Sequence, residues 1–268
     1  MTAPDPGGGP CLNCGTRRVG PYCHVCGQGD VDPEAGVGAL VAESVREGLS
    51  WDHRVGRTVR ALLTAPGAVS VAWADGRRAS FVAPIRLFLV LGAILVGLGW
   101  IQESVQDPAP DTASEAETSD RSAATSQNAG YWVGRTIGRL GVYGFLLFVP
   151  LVGIAYAGLF RGRRRGLAPH LVHALHVCCF AVTGLIAWRA GRIGWLLTRG
   201  GGMVDLDAVD SLLACGFVVL AGYTALSIRR FYRTSRLGAV LAAPLVVGVP
   251  VLFLGVVVLG LYVARILR

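Results

Sequence analysis

The sequence predicts an all-α polytopic membrane protein with about five transmembrane helices, preceded by a small N-terminal zinc ribbon. Of its 268 residues, 53% are hydrophobic and only 16% are charged, whereas soluble domains carry about 25% charged residues. Several apolar runs approach the roughly 20 residues that a helix needs to cross a bilayer. Four cysteines near the N-terminus form two closely spaced pairs, which is a typical metal-ligand pattern.

These cysteines predict a four-cysteine metal site within residues 1–35, which comprise the ribbon and a hinge. They follow the pattern C-x2-C-x8-C-x2-C and are Cys11, Cys14, Cys23 and Cys26. Two thiolate pairs complete a closed tetrahedral site, so we expect structural Zn²⁺, with rubredoxin-like iron, two disulfides or four idle thiols as alternatives. Gly15 and Gly27 follow the two pairs and are expected at positive φ. His24 is expected at the surface.

Residues 36–80 are predicted to form amphipathic juxtamembrane helices. Their apolar stripes consist of Val37, Leu40, Val41, Val45 and Leu49, then Val55, Val59, Leu62 and Leu63. Arginines occupy the opposite face of the second helix, which Pro66-Gly67 ends. The helices either lie on the inner leaflet with their basic face towards anionic lipid or form a cap packed under the spans.

Residues 81–268 are predicted to form the helical membrane domain. The spans are residues 82–101, 140–160, 167–188, 211–228 and 237–264, and none contains Asp or Glu. Arg86 falls within the first span, and its long stem is expected to carry the guanidinium back to the head groups. Residues 190–202 are too short and too basic to span, so we expect an interfacial piece and a loop. The outer loop 103–130 has few apolar residues and is expected to be disordered.

The arginines predict the orientation of the membrane domain. They crowd two turns between spans and include Arg161, Arg163, Arg164, Arg165, Arg229 and Arg230, whereas the loop at 103–130 is acidic. The positive-inside rule places basic turns in the cytoplasm. We therefore expect a multi-pass protein of a bacterial inner membrane, with a cytoplasmic N-terminus and a periplasmic C-terminus. The net charge of +8 fits this topology, and no nucleic-acid partner is expected.

The third span holds a candidate membrane-embedded site. Its residues are His170, His173, His176 and Cys179, and ionisable groups within a membrane are functional suspects. However, steps of three residues place His170 and His176 about 120° apart around a helix, which weakens a tight three-histidine site. The alternative is a structural role, in which the histidines hydrogen-bond to neighbouring helices.

The chain also resembles a family of uncharacterised bacterial inner-membrane proteins with zinc ribbons, a DUF3667-like domain of unknown function. Four segments carry this resemblance: Cys26-Gly27-Gln28, Thr58 to Gly67, Asp75 to Leu91, and His170 to Phe180. The resemblance implies a cytoplasmic zinc ribbon followed by a helical membrane domain. It implies no activity.

These features predict a non-enzymatic protein whose zinc ribbon and basic juxtamembrane helices act as a docking or regulatory platform. The expected partners are the lipid bilayer, including anionic lipid, and a cytoplasmic protein or a second copy of the chain. The alternative is a carrier or channel for a small or lipid-like molecule, with a histidine-lined path in the third span. The sequence contains no Gly-rich phosphate-binding loop, nucleophile elbow or HExxH motif.

Overall fold

The computed structural model describes residues 9–30, 32, 36–47, 53–106, 149–163, 166–199 and 206–248. Regular secondary structure in these residues is helical, apart from two isolated β-bridges in the ribbon. The helices are α1 (Val37–Glu47), α2 (His53–Thr64), α3 (Ala68–Ala74), α4 (Pro84–Gln106), α5 (Val149–Leu159), α6 (Ala168–Arg199), α7 (Leu206–Tyr232) and α8 (Arg236–Gly248). The predicted all-helical class is therefore confirmed for this part of the chain.

Two helices among the described residues are long and apolar enough to cross a membrane. The candidate spans are Pro84–Gln102 in α4 and Ala168–Thr198 in α6. Among α1, α2, α3, α4, α6 and α7, these two helices pack along each other more extensively than any other pair. Their length and composition indicate that the protein associates with a membrane. The described residues do not support five spans. Helices α5 and α8 are shorter, and residues 140–148 and 249–264 lie outside the described part.

The predicted boundaries of both candidate spans need correction. Residues 190–199 were expected to be an interfacial piece and loop, but they continue α6 without a break. Arginine is a good helix former and the glycines at 191 and 194 are isolated, whereas Gly200-Gly201-Gly202 is the first run of consecutive glycines after the start of α6. Similarly, α4 continues to Gln106 and so includes the first residues of the predicted outer loop. Residues 107–130 of that loop lie outside the described residues.

Arg86 also differs from expectation, because its side chain is inside the bundle. Only 2% of the residue is exposed, so the guanidinium does not extend to the protein surface. The neighbouring Leu87 is fully buried. This arginine is thus part of the protein core near the start of α4.

Helix α3 was not predicted, and Gly67 makes its position possible. Gly67 has φ 75° and immediately precedes α3, in the left-handed region that a side chain disfavours. A Cβ atom at Gly67 would also lie 2.8 Å from the Ser227 carbonyl oxygen on α7. The absent side chain therefore lets the chain reverse direction and lets α3 approach α7 closely.

Two apolar clusters lie on either side of α6. The first cluster joins Leu40 of α1, Leu62 of α2 and Trp73 of α3 to buried residues of α4 and α6. The second joins residues of α5, α7 and α8, such as Tyr156 and Ile228, to Ala174 of α6. Consequently, α1, α2 and α3 share a core with the candidate spans, as in a packed helical cap.

Candidate metal centre and its contact with the helical bundle

The ribbon, residues 9–30, consists of two knuckles that repeat the same backbone geometry. The Cys11 N–H donates to the Thr16 carbonyl at 2.9 Å, and the Cys23 N–H donates to the Gln28 carbonyl at 2.8 Å. Gly15 and Gly27 take φ values of 78° and 71°, as predicted. The positive φ turns each glycine N–H back to the first cysteine carbonyl of its knuckle, at 2.8 Å in both cases.

This arrangement brings the four cysteine sulfurs together. All four Sγ atoms lie within 4.8 Å of one another, and the Cys11–Cys26 and Cys14–Cys23 pairs are 3.5 Å apart. Sulfurs at the corners of a tetrahedral zinc site are about 3.8 Å apart, given zinc–sulfur bonds of about 2.3 Å. A disulfide requires sulfurs at about 2.05 Å, so the geometry fits a metal ligand set and not two disulfides.

The pKa values of the cysteines bear on whether the cluster can bind a cation. Hydrogen bonds from the Thr16 side chain and backbone lower the pKa of Cys14 from 9.0 to about 6, which favours its thiolate at neutral pH. Burial raises the pKa of Cys26 to about 11. Since sulfurs this close repel one another as anions, a bound cation is needed for all four to be thiolates. Four close cysteines can therefore bind a metal ion.

Gln28 attaches the ribbon to the helical bundle. Its side chain is 5% exposed and makes three hydrogen bonds with the loop between α3 and α4, which we call the Gln28 contact. The Gln28 amide donates to the Gly76 carbonyl at 2.8 Å, and its Oε1 accepts from the Arg78 and Ala79 N–H groups at 2.9 and 3.0 Å. A hydrogen bond between Ser80 and Asn13 at 3.1 Å lies beside it. The ribbon is therefore held on the bundle by polar contacts.

The ribbon also presents apolar side chains to the exterior. The exposed fractions are 45% for Leu12, 68% for Tyr22, 63% for Val25 and 85% for Val19. Leu12 and Val25 lie between the cysteines of their knuckles. His24 is also exposed, as expected, and is absent from the ligand set. We call these four apolar residues the ribbon tips.

The three histidines of α6 are buried and turn towards different neighbours. His170 and the Tyr232 hydroxyl share a hydrogen bond of 2.9 Å, while His176 and the Ser70 hydroxyl on α3 share another of 2.9 Å. The ring of His173 stacks on Phe231 at a centroid distance of 4.6 Å. Among the described residues, the cysteines of the ribbon are the one set of three or more ligands that could hold a metal. The histidines thus connect α6 to α3 and α7.

Cys179 is fully buried on the same helix. The basic turns are at the surface. Arg161 and Arg163 are exposed after α5, and Arg229 and Arg230 are exposed near the end of α7. Arg164 and Arg165 lie outside the described residues.

The comparison with protein-family models identifies one segment of the chain. Residues 52–96 match the family described as a protein of unknown function, DUF3667. This match confirms the predicted resemblance. The search of curated proteins and the search of solved structures return no match to the chain.

The DUF3667 segment runs from α2 into α4. It contains the residues that contact Gln28 and the residue that contacts His176. Gly76, Arg78 and Ala79 of the Gln28 contact lie within it, as does Ser70, the partner of His176. The cysteines and the histidines themselves lie outside it. The matched segment is therefore the part of the chain on which the ribbon and α6 meet.

Sequence reasoning missed Gln28, Ser70 and the aromatic residues around His173. Gln28 is part of the CGQ landmark, so its position directly after the fourth cysteine was a usable signal. Tyr232 follows two arginines at the end of α7, and nothing in its local sequence indicates a buried partner. Trp73 stacks beneath Arg78 with 4.9 Å between the guanidinium carbon and the ring centre.

Proposed function

We propose that the protein is a non-enzymatic integral inner-membrane protein whose ribbon and basic juxtamembrane helices act as a docking or regulatory platform. The proposal includes about five spans, a cytoplasmic N-terminus and a periplasmic C-terminus. Exposed apolar side chains on α7 and α8 support further membrane helices, among them Val218, Leu237 and Leu241 at 72%, 69% and 61% exposure.

The observation that carries the docking role is the exposure of apolar side chains on a ribbon that is attached to the bundle. The attachment is made through the Gln28 contact, while the ribbon tips are exposed. A surface that is rigidly mounted loses little conformational entropy when a partner binds. Exposed apolar residues on a small rigid module favour recognition of a protein partner rather than catalysis.

The docking role is tested by photo-crosslinking in intact cells. A photoreactive amino acid at Tyr22 or Val25 is expected to crosslink to one protein of defined mass, because both side chains are exposed on the ribbon tips. The same amino acid at Leu237 on α8 is the matched control for an exposed apolar position. The crosslink should disappear when Cys11 and Cys14 are replaced by serine. Equal products at all three positions, or none at the tips, would refute the docking role.

The metal in this proposal is structural Zn²⁺. Four thiolates fill a tetrahedral sphere and leave no open position for a substrate. The test is elemental analysis of the purified protein, with one zinc per chain as the expected result. Iron at that stoichiometry, with the visible absorption of an iron–thiolate site, would show the rubredoxin-like alternative to be correct.

The orientation has its own test. A reporter that is active only in the cytoplasm is fused after Asp30, at the end of the ribbon. Activity is expected because the basic turns near Arg163 and Arg229 are assigned to the cytoplasm by the positive-inside rule. A reporter that is active only in the periplasm would overturn the proposed topology and the reducing environment of the cysteines.

The alternative of a carrier with a histidine-lined path receives little support. Two cavities in the described residues are lined by residues other than His170, His173 and His176. Aromatic rings and a serine pack directly against these side chains. The platform therefore accounts better for the closed packing around α6.

A further inference from the structure

An apolar groove separates α2 from α4. Its volume is about 380 Å³, and the apolar residues that line it are Val55, Val59 and Leu63 of α2 with Val90, Leu91 and Ile94 of α4. Gly56 forms part of the wall, and a Cβ atom there would meet nothing within 4 Å. We call this feature the α2–α4 groove.

The groove lies on the outside of a candidate span. Leu63, Leu89 and Ile94 are 49%, 43% and 38% exposed, so the surroundings of the groove are also apolar and accessible. Val90 to Ile94 belong to the stretch of α4 that is apolar enough to cross a membrane. An apolar groove at this position would face the hydrocarbon chains of the lipids, or the boundary between the chains and the head groups.

The charge on α2 indicates which lipids would be favoured. Arg60 lines the groove, and Arg57 directly follows Gly56; both residues lie on the solvent-accessible side of the helix. The helix from His53 to Thr64 contains three arginines and no acidic residue. Guanidinium groups bind phosphate well because their N–H donors match its oxygens, and basic segments beside a span attract anionic lipid. An apolar groove with arginines at its rim complements a molecule with an acyl chain and an anionic head group.

We propose that the α2–α4 groove binds an acyl chain of an anionic phospholipid, whose phosphate is held by Arg57 and Arg60. The inference rests on the membrane location of α4 in the proposed function, and it does not depend on docking by the ribbon. It assigns a role to the groove-lining side of α2, whereas Leu62, which does not line the groove, packs in the core.

The proposal is tested by native mass spectrometry of the full-length protein in mild detergent. Dioleoyl-phosphatidylglycerol is titrated as the anionic probe, and dioleoyl-phosphatidylcholine as the zwitterionic comparison. Each arginine near an anionic surface is worth about 1 kcal/mol, so R57Q and R60Q are each expected to weaken phosphatidylglycerol binding about fivefold. R17Q, which changes an exposed arginine of the ribbon, is expected to leave the binding unchanged.

A second pair of variants tests the groove itself. G56F fills the open space beside Gly56 and is expected to reduce binding of phosphatidylglycerol at least ~10-fold, because burial of each acyl methylene is worth about 0.8 kcal/mol. G158F is the matched control, since Gly158 on α5 is also exposed and has open space around its Cβ position. Circular dichroism of both variants verifies that the helices are retained.

Three results would overturn the proposal. The first is full retention of phosphatidylglycerol by the folded G56F variant. The second is equal binding of the two lipids by the wild type with no effect of R57Q or R60Q. The third is a dimer of the chain that G56F dissociates, which would make a second copy the occupant. The C11S/C14S variant separates this inference from the docking role, because it should lose the metal and keep the lipid.

Discussion

Replacement of Gln28 by alanine should release the ribbon from the bundle without removing the metal. The side chain makes three hydrogen bonds of 2.8 to 3.0 Å from a site that is 5% exposed. A typical intramolecular hydrogen bond contributes about 0.5–1.5 kcal/mol net. We therefore expect the attachment of the ribbon to the bundle to weaken by about 2–4 kcal/mol. At 1.4 kcal/mol per tenfold change, the equilibrium for detachment should rise roughly 30- to 700-fold.

Hydrogen–deuterium exchange measures this directly, because the Arg78 and Ala79 amides donate to Gln28 in the folded protein. Peptides that contain these amides should exchange faster in Q28A by the same factor. Q102A makes the same chemical change near the other end of α4 and should leave this exchange unaltered. The metal content should stay at the wild-type level, since Gln28 is not a ligand. Unchanged exchange at residues 78 and 79 in Q28A would refute the Gln28 contact.

Four further outcomes follow from named contacts. C14S should abolish stoichiometric metal binding, measured by elemental analysis, whereas C215S should retain it because Cys215 lies far along the chain on α7. G67A should lower the melting temperature, because positive φ costs a side chain about 1–2 kcal/mol and its Cβ would approach Ser227 at 2.8 Å; G158A, with open space, should not. Y232F should cost only about 0.6 kcal/mol in unfolding assays, the average for hydrogen bonds between membrane helices. A strong chelator should unfold the ribbon and leave the helical circular dichroism nearly intact; complete loss of helix would contradict this.

The sequence predicts the cysteine cluster well because its determinants are local. The spacing of the cysteine pairs and the glycines after them fixes two knuckles within 16 residues, from Cys11 to Cys26, and the observed φ values of Gly15 and Gly27 follow from the same pattern. The four sulfurs meet because the second knuckle repeats the first. None of these steps requires knowledge of the rest of the chain.

The contacts of the ribbon and of α6 were beyond the sequence because they join distant segments. Gln28 forms hydrogen bonds with residues about 50 positions away. A periodic sequence pattern does not indicate a pair of residues this far apart. Helical geometry did place His170 and His176 on different faces, and they do contact different helices, but Ser70 and Tyr232 were not foreseen. Helix α3 has seven residues, which are too few for an apolar period to be recognised. The glycine before it is equally consistent with the end of α2.

The repeat within the ribbon explains how one small module can both bind a metal and attach to the helical bundle. Thr16 and Gln28 occupy equivalent positions in the two knuckles, where each backbone carbonyl accepts from the N–H of the first cysteine. Their side chains differ in role: Thr16 hydrogen-bonds to Cys14 and favours its thiolate, while Gln28 bonds to the loop after α3. Because the backbone of Gln28 closes the second knuckle at 2.8 Å, a metal bound by Cys23 and Cys26 would also hold the Gln28 side chain in place. Metal binding and the attachment of the ribbon would then be coupled through a single residue.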